Sequence, residues 1–289
     1  MGLFSSFLAP AQLSPQRLAA MRSRLGEVNK VTGKLSPVQR GKLSGGAVNL
    51  LQMAENWNKI EPSLEHASIT FDQKLATSSR SSSTSSILVP VSNPATDFLF
   101  SIMTGFTQSE TSTAWCGSNV VVGFNDSGSI PESVLFGPGG VSLSGVAFST
   151  NQGAAFRDAG FVNPGSNPAN FLAGDPVLSC VDASTFYYAQ IFETADAVGN
   201  PLTAVSLSTS TDGGANWGDP VVAVEKDGLT HFIDKDWMTV DPTNPKTIFV
   251  TYTDFDSSGA CVRLLMAKKG LQLNLSARRM AERPGVAQW

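Results

Sequence analysis

The sequence predicts an all-β fold of repeated antiparallel sheets, preceded by a short helical segment. Only 15% of the 289 residues are charged and 42% are hydrophobic, so Ser, Thr, Asn and Gly supply the polarity, which is typical of turn-rich β proteins. From about Ile87 onward, short β-branched and aromatic runs alternate with Gly, Asn, Asp and Pro turns. One eight-residue turn pattern occurs twice within this region.

The elements follow one another in four predicted parts. Within residues 1–75, Ser14 and Pro15 can begin a helix over 14–28, and an apolar stripe predicts a second helix over 44–60. Residues 76–90 form a predicted linker, because a Ser/Thr-rich stretch cannot bury apolar surface. The β region is predicted over 91–263, and an aberrant basic tail over 264–289. The clearest predicted strands are Ser118–Phe124, Val141–Ser149, Thr185–Phe192, Leu202–Ser208 and Thr247–Thr253.

The repeated turn has the pattern S-x-D-x-G-x-x-W, and a weaker copy of it lies one repeat earlier in the chain. The acidic residue can accept turn N–H groups, the glycine can adopt a positive φ, and the aromatic residue can anchor the returning strand. In the weaker copy Asn replaces Asp and Phe replaces Trp, and both substitutions keep these roles. The residues concerned are Ser210, Asp212, Gly214 and Trp217, and in the earlier copy Ser149, Asn151, Gly153 and Phe156.

The segments upstream of these turns repeat as well. Glu110, Asp175 and Asp236 each open the first strand of a unit, and their spacing along the chain is nearly constant. Such a regular period with four strands per unit predicts the blades of a β-propeller. Since the innermost strands of blades line the axis, the three carboxylates would converge near the mouth of the channel. Such oxygen donors suit a polar ligand or a calcium ion, while the alternative is that each carboxylate is hydrated or caps a loop.

The octapeptide resembles the Asp-box, or BNR repeat, of sialidases, and the stretch 234–245 is similar to bacterial sialidase-like propeller proteins. The resemblance covers roughly residues 105–262. It implies a sialidase-type, six-bladed propeller, of which this sequence supplies about two and a half to three blades. It also implies a glycan-directed protein of the exo-α-sialidase class, in which the octapeptide is a structural turn at the blade periphery.

The catalytic residues of that family are not identified in this sequence. Sialidases grip the substrate carboxylate with three arginines and use a Tyr nucleophile paired with a Glu, together with an acid/base Asp. Only Arg157 and Arg263 lie in or beside the predicted blades, and the Arg-Ile-Pro signature is missing. We expect Tyr188 and Glu193, the one nearby Tyr/Glu pair, to be structural. We therefore expect no sialidase turnover from this chain, and the alternative function is a non-catalytic propeller that binds glycans or proteins.

Asp126 lies on a predicted loop and offers an acid/base group, but a turn-forming role is the expected one. The cysteines Cys116, Cys180 and Cys261 have no CxxC spacing, so we expect no metal site from them, and we expect them to be small buried apolar residues.

Charge and hydropathy exclude two classes of partner. The net charge is −4 overall and −14 over residues 81–262, which argues against nucleic acid. No apolar run is long enough to span a membrane. The start of the chain lacks a clear signal peptide, whereas the family resemblance suggests a secreted or cell-envelope protein. The oligomeric state is left open.

The tail, from residue 264 onward, follows none of the strand patterns, and residues 263–289 carry a net charge of +5. A shifted reading frame from Lys268–Gly270 permits a further S-x-D-x-G-x-x-W turn, about one blade downstream. The sequence therefore suggests the N-terminal portion of a longer sialidase-like protein, altered by a frameshift. The alternative is a divergent C-terminal helix, and sequencing the gene across codons 266–272 distinguishes the two.

Overall fold

The computed structural model describes residues 33–41, 43, 45–65, 88–92, 107–256 and 263–270, with single positions between 15 and 30. Most of the predicted linker and the tail beyond Gly270 lie outside the described residues, as does Cys261. In the described part of the chain, no helix is long and apolar enough to cross a bilayer.

The described residues of the N-terminal segment are mostly helical, which agrees with the predicted fold class. Every described position between 15 and 26 is helical, and α1 (Pro37–Arg40) and α2 (Gly45–Glu65) follow. The second helix extends past its predicted end and contains Pro62 in its last turn. Its buried Glu61 accepts a hydrogen bond from Nε of Arg22 at 3.0 Å, and the helix packs against the first strand of the β region.

The β region forms three antiparallel sheets, with one short parallel pairing. Sheet 1 pairs β1 (Gln108–Cys116), β2 (Asn119–Asp126), β4 (Ser144–Ser149) and β5 (Arg157–Phe161) in that order. Sheet 2 pairs β7 (Val177–Cys180), β8 (Phe186–Ala195), β9 (Pro201–Ser210) and β10 (Val221–Asp227) in the same way. Its edge is extended by β6 (Phe171–Leu172), which pairs with β8, and by β3 (Val141–Ser142), which pairs with β6 in parallel. Sheet 3 pairs β11 (His231–Asp241), β12 (Asn244–Asp256) and β13 (Arg263–Gly270).

The sheets stack face to face through two apolar cores. Sheets 1 and 2 meet at a cluster that includes Val121, Val146, Leu178, Phe186 and Trp217. Sheets 2 and 3 meet at a cluster that includes Val177, Tyr187, Val205, Ile233 and Ile248. The first strands β1, β7 and β11 are neighbours. The predicted fold class is confirmed: the chain is all-β, and its sheets are two complete blades and the first three strands of a third in a partial β-propeller.

Both octapeptide turns join the third strand of a blade to the fourth, and the stronger one is held by its own side chains. Ser210 Oγ accepts the N–H of Gly214 at 2.9 Å and donates to Oδ1 of Asp212 at 2.8 Å. Asp212 Oδ1 also accepts the N–H of Asn216 at 2.9 Å. Gly214 adopts a φ of 95°, and a Cβ there would collide with Val121 of sheet 1. The aromatic ring of Trp217 then lies edge to face with Tyr188, 5.5 Å between ring centroids.

The earlier turn repeats these contacts bond for bond. Ser149 Oγ accepts the N–H of Gly153 at 2.9 Å and donates to Oδ1 of Asn151 at 2.8 Å, and that same oxygen accepts the N–H of Ala155 at 3.0 Å. Phe156 packs on sheet 1 as the counterpart of Trp217. Asn and Asp therefore have the same role in this turn, because the backbone N–H group needs only a side-chain oxygen as its acceptor, and both residues supply one.

One helix inside the β region was not predicted. The expectation of a purely β region is wrong at α3 (Ser129–Phe136), which lies between β2 and β3. Asp126 begins it: its Oδ1 accepts the N–H of Gly128 at 2.9 Å, and its Oδ2 accepts the hydroxyl of Ser129 at 2.8 Å. Asp126 therefore has the turn-forming role and is buried.

The third sheet continues further than the composition suggested. Residues from 264 onward were expected to leave the strand pattern, yet β13 pairs with β12 along its whole length, from Arg263 with Asp254 to Gly270 with Thr247. The predicted boundary therefore falls inside a strand. The strand was missed because its basic residues hide the alternation that predicts strands.

Candidate functional site

The first strand of every blade is interrupted at the same place. In sheet 1 the register of β1 against β2 shifts between Ser109 and Ser112, and in sheet 3 that of β11 against β12 shifts between Asp234 and Trp237. In sheet 2 the segment 173–176 separates β6 from β7, which both pair with β8. Such bulges place extra residues opposite a regular partner strand and re-aim their side chains. Bulges in neighbouring first strands therefore create one region at which side chains can meet.

Each of these interruptions contains a left-handed residue that is not glycine, two positions before regular pairing resumes. Glu110, Asp175 and Lys235 have φ values of 51°, 55° and 52°. Non-glycine residues rarely adopt this conformation, because it costs free energy. The residues that do adopt it are concentrated at functional sites. The same backbone conformation at equivalent positions of all three sheets indicates that the three blades share this local structure.

The predicted register of axial carboxylates is corrected by these conformations. Glu110 and Asp175 are equivalent, as expected, but their counterpart in sheet 3 is Lys235, one residue before Asp236. Asp236 is the second residue of its bulge and corresponds to Thr111 in sheet 1. The repeat spacing matches residue type and misses the structural position by one residue, because the distance between equivalent positions differs from blade to blade: 65 residues from Glu110 to Asp175 and 60 from Asp175 to Lys235.

Asn125 joins the bulges of sheets 1 and 2. It is fully buried, and its Nδ2 donates to Oε2 of Glu110 at 2.8 Å, while its Oδ1 accepts the N–H of Asp175 at 2.8 Å. A Cβ on Gly174 would collide with this amide, so glycine is required there. Asn125 thereby fixes both the carboxylate of Glu110 and the backbone that carries Asp175. Sequence reasoning did not single it out.

Asp236 is buried without a polar partner. It is 6% exposed, and neither of its carboxylate oxygens is hydrogen-bonded to another residue. Burial, followed by the charges of Asp234 and Glu110, raises the pKa of Asp236 well above its usual value of 3.8. The electrostatic influence of Glu110 reaches it from β1, so sheets 1 and 3 both contribute to the same region. A carboxyl group in this environment holds a proton at a pH where an exposed aspartate has lost it.

Tyr188 and Glu193 do not form a pair. Tyr188 is fully buried between sheets 1 and 2, and its hydroxyl donates to the carbonyl of Gly145 at 3.1 Å. Burial, then the charges of Asp236 and Asp126, raises the pKa of this hydroxyl. Glu193 accepts from Thr203 at 2.7 Å on the opposite face of β8, roughly 17 Å along the strand. Both side chains have a structural role.

A disulfide joins Cys116 to Cys180, at the ends of β1 and β7. The expectation that these cysteines are simple buried apolar residues is wrong. Both close the first strand of a blade, 64 residues apart, which is one repeat length. That coincidence with the repeat was the signal in the sequence, and the odd number of cysteines obscured it.

The residues that the structure describes contain no cluster of acidic, histidine or cysteine side chains that could bind a metal ion. No group of three or more His, Cys, Asp or Glu side chains there is arranged to hold one. The axial calcium ion suggested by the sequence stays a prediction, because calcium also binds backbone carbonyl and side-chain amide oxygens. Arg157 opens β5, the outermost strand of sheet 1, which is far from the first-strand bulges.

Comparisons with known proteins add structural likeness only. No family model and no curated protein matches the chain. The GH93 α-L-arabinofuranosidase of Fusarium graminearum, solved with arabinobiose, is 11% identical with a TM-score of 0.40, over 56% of this chain and 45% of that one. The α-L-arabinanase of Penicillium chrysogenum is 10% identical with a TM-score of 0.26, over 56% and 62%. Trypanosoma rangeli sialidase is 13% identical with a TM-score of 0.25, over 55% and 30%.

This chain spans about half the length of the arabinofuranosidase. The fold assignment rests on the strand pairing and sheet packing described above, and the site rests on its own geometry.

Proposed function

We propose that this chain is part of a glycan-directed β-propeller of the glycoside hydrolase class, with its ligand site at the first-strand bulges. The observation that carries the proposal is Asp236, a buried carboxyl without a partner that is electrostatically coupled to Glu110. Glycoside hydrolysis commonly uses two carboxyl groups whose environments separate their protonation states. A protonated Asp236 and a solvent-exposed Glu110 would supply such a pair.

The finer, sialidase-like assignment is proposed for the scaffold. The two octapeptide turns have the side-chain contacts expected of Asp-boxes, which supports descent from a BNR-repeat propeller. Exo-α-sialidase activity itself is proposed only for a longer protein that adds an arginine cluster and a Tyr/Glu pair. Among residues 107–256, the sequence contains a single arginine.

A non-catalytic glycan-binding propeller is the second candidate. It is favoured by the hydrogen bond that ties Glu110 to Asn125, because a residue held this way is suited to fixed recognition of sugar hydroxyls. Both candidates use the same site, so they differ in turnover and not in the residues that touch the ligand.

The test combines a glycan array with hydrolysis assays on the purified chain. We expect array binding that Glu110→Gln weakens at least fivefold, while the exposed Glu225→Gln, on the outer strand β10, leaves binding unchanged. Release of free sugar from a bound glycan, lost in Asp236→Asn, supports hydrolysis. Binding without release supports the non-catalytic candidate. Absence of binding to any glycan contradicts both.

We also propose that the protein works in an oxidising compartment, secreted or in the cell envelope. The Cys116–Cys180 disulfide supports this, since disulfides persist mainly outside the cytosol. Alkylation of the protein in its native host should find these two cysteines oxidised. Recovery of both as free thiols from intact cells contradicts the proposal.

A further inference from the structure

The charge of the first-strand region bears on the kind of sugar it can take. The charges of Asp234 and Glu110 both act on Asp236, and Asn125 ties Glu110 to the bulge that carries Asp175. The residue in the equivalent position of sheet 3 is a cation, Lys235, and it is exposed. Arg157, on the outermost strand, is too distant to balance them. A ligand entering this region meets an excess of negative charge.

The second observation is the unsatisfied hydrogen-bonding capacity of Asp236. Both its oxygens are buried and lack a partner, and buried polar groups are nearly always paired. Because burial and neighbouring carboxylates favour its neutral form, this group can donate one hydrogen bond and accept others. A sugar hydroxyl, which also donates and accepts, satisfies both capacities. A ligand carboxylate would satisfy only one and would add another negative charge.

We propose that this site takes a neutral glycan, whose hydroxyl groups hydrogen-bond to Glu110 and Asp236, and that it excludes acidic sugars such as sialic acid. The inference rests on the proposed function, since it specifies the ligand class of the same site. Bringing a ligand carboxylate to within about 5 Å of one like charge costs on the order of a hundredfold in affinity at the effective dielectric of a protein surface. Sialidases offset this repulsion with arginines, whereas the single arginine among residues 107–256, Arg157, lies on the outermost strand of sheet 1.

The experiment uses the purified chain and pairs of glycans that differ only by a terminal sialic acid, such as lactose-terminated chains and their sialylated forms. Pairs with arabinose, galactose and amino-sugar termini are included, and affinities are measured by array titration and confirmed by saturation-transfer NMR. We expect the neutral member of a bound pair to bind at least tenfold more tightly.

The matched variants are Glu110→Gln and Glu225→Gln, which remove the same charge at the site and on the exposed outer strand β10. Glu110→Gln should reduce the preference for the neutral member about tenfold, and Glu225→Gln should leave it unchanged. Preferred binding of sialylated glycans would overturn the inference and leave the proposed function standing. Binding restricted to amino sugars, or an equal effect of the two variants, would overturn it as well. Failure of every glycan to bind would overturn the proposed function itself.

Discussion

Asn125 Oδ1 accepts the backbone N–H of Asp175 at 2.8 Å, and this bond joins the second strand of sheet 1 to the bulge of sheet 2. The same amide donates to Glu110, so one side chain satisfies two groups on two strands. Because this contact is buried, the N–H of Asp175 would lose this acceptor without Asn125. The site is therefore coupled to the packing of the first two blades.

Asn125→Ala should lower the free energy of unfolding by about 1–3 kcal/mol, because it leaves the buried N–H of Asp175 unpaired. Urea denaturation followed by tryptophan fluorescence measures the change. The control is Asn167→Ala, an exposed residue with one local bond to the N–H of Ala169, which should cost well under half as much. Equal losses from the two variants would contradict the bridging role.

The ionisation of Asp236 should make the protein less stable as the pH rises. Below about pH 3.8 the carboxyl is protonated in both the folded and the unfolded chain, so it contributes no difference. Above that pH the unfolded chain ionises while the folded chain keeps the proton, so stability falls. The slope is up to ~1.4 kcal/mol per pH unit until the folded-state pKa is reached.

Asp236→Asn removes this titration. The variant should match the unchanged protein near pH 4 and exceed its stability increasingly toward pH 7, as measured by urea midpoints across that range. Glu225→Gln, at an exposed position, should show no such divergence. A constant offset between Asp236→Asn and the unchanged protein at all pH values would refute the assignment of a retained proton.

The octapeptide turns allow a test by exchange of Asp and Asn. Asn151 accepts the same backbone N–H in one turn that Asp212 accepts in the other, so Asp212→Asn should lose only the bond that Asp212 Oδ2 accepts from Asn216 Nδ2 and cost less than about 1 kcal/mol. Asp212→Ala removes the acceptor for the N–H of Asn216 and should cost about 1–2 kcal/mol. Thermal unfolding of the two variants distinguishes them. Similar losses in both would mean that charge, and not the acceptor oxygen, stabilises the turn.

The repeat made the fold predictable, and local irregularities limited the prediction of the site. The turns at Ser149 and Ser210 fixed the third and fourth strands of each blade, because their chemistry is contained within a single short turn. The same spacing predicts Asp236 as the third carboxylate, whereas the equivalent of Glu110 and Asp175 is Lys235, because the number of residues between blades is not constant. Asn125 lies on a second strand, and its role depends on a contact 50 residues away, which no local pattern reveals.

The disulfide is a second feature that the sequence pattern only partly predicts. Cys116 and Cys180 hold equivalent ends of β1 and β7, and in the sequence the only sign of this relationship is their separation of 64 residues, one repeat length. Cross-linking across 64 residues restricts the unfolded chain, so removal of the bond should cost about 2–4 kcal/mol. Cys116→Ala with Cys180→Ala should therefore show a lower urea midpoint than the unchanged, oxidised protein.

Thiol titration provides the matching chemical measurement. The denatured, unreduced protein should present one reactive thiol of its three cysteines, and reduction should raise this to three. Cys261→Ala serves as the control and should present none before reduction. Three reactive thiols without reductant would show that the bond does not form.

The outer face of sheet 3 should promote self-association. Trp237 is 67% exposed, whereas Val177, at the equivalent position of sheet 2, is 5% exposed because sheet 3 covers it. Trp237 and Met238 alternate along β11, so the tryptophan lies on the face away from sheet 2. Large exposed apolar side chains on an open sheet favour contacts between molecules.

Trp237→Ser should therefore shift the protein toward the monomer in size-exclusion chromatography with light scattering, with less than about 1 kcal/mol change in stability because the side chain is already exposed. The matched control is Trp115→Ser, which removes an equally exposed tryptophan from β1, on sheet 1. If the sheet 3 face is the one that associates, only Trp237→Ser lowers the apparent mass at equal concentration. Two outcomes would contradict this account: an unchanged protein that stays monomeric at high concentration, or an identical response to both variants. Neither outcome would link association to the face that a neighbouring blade covers in sheets 1 and 2.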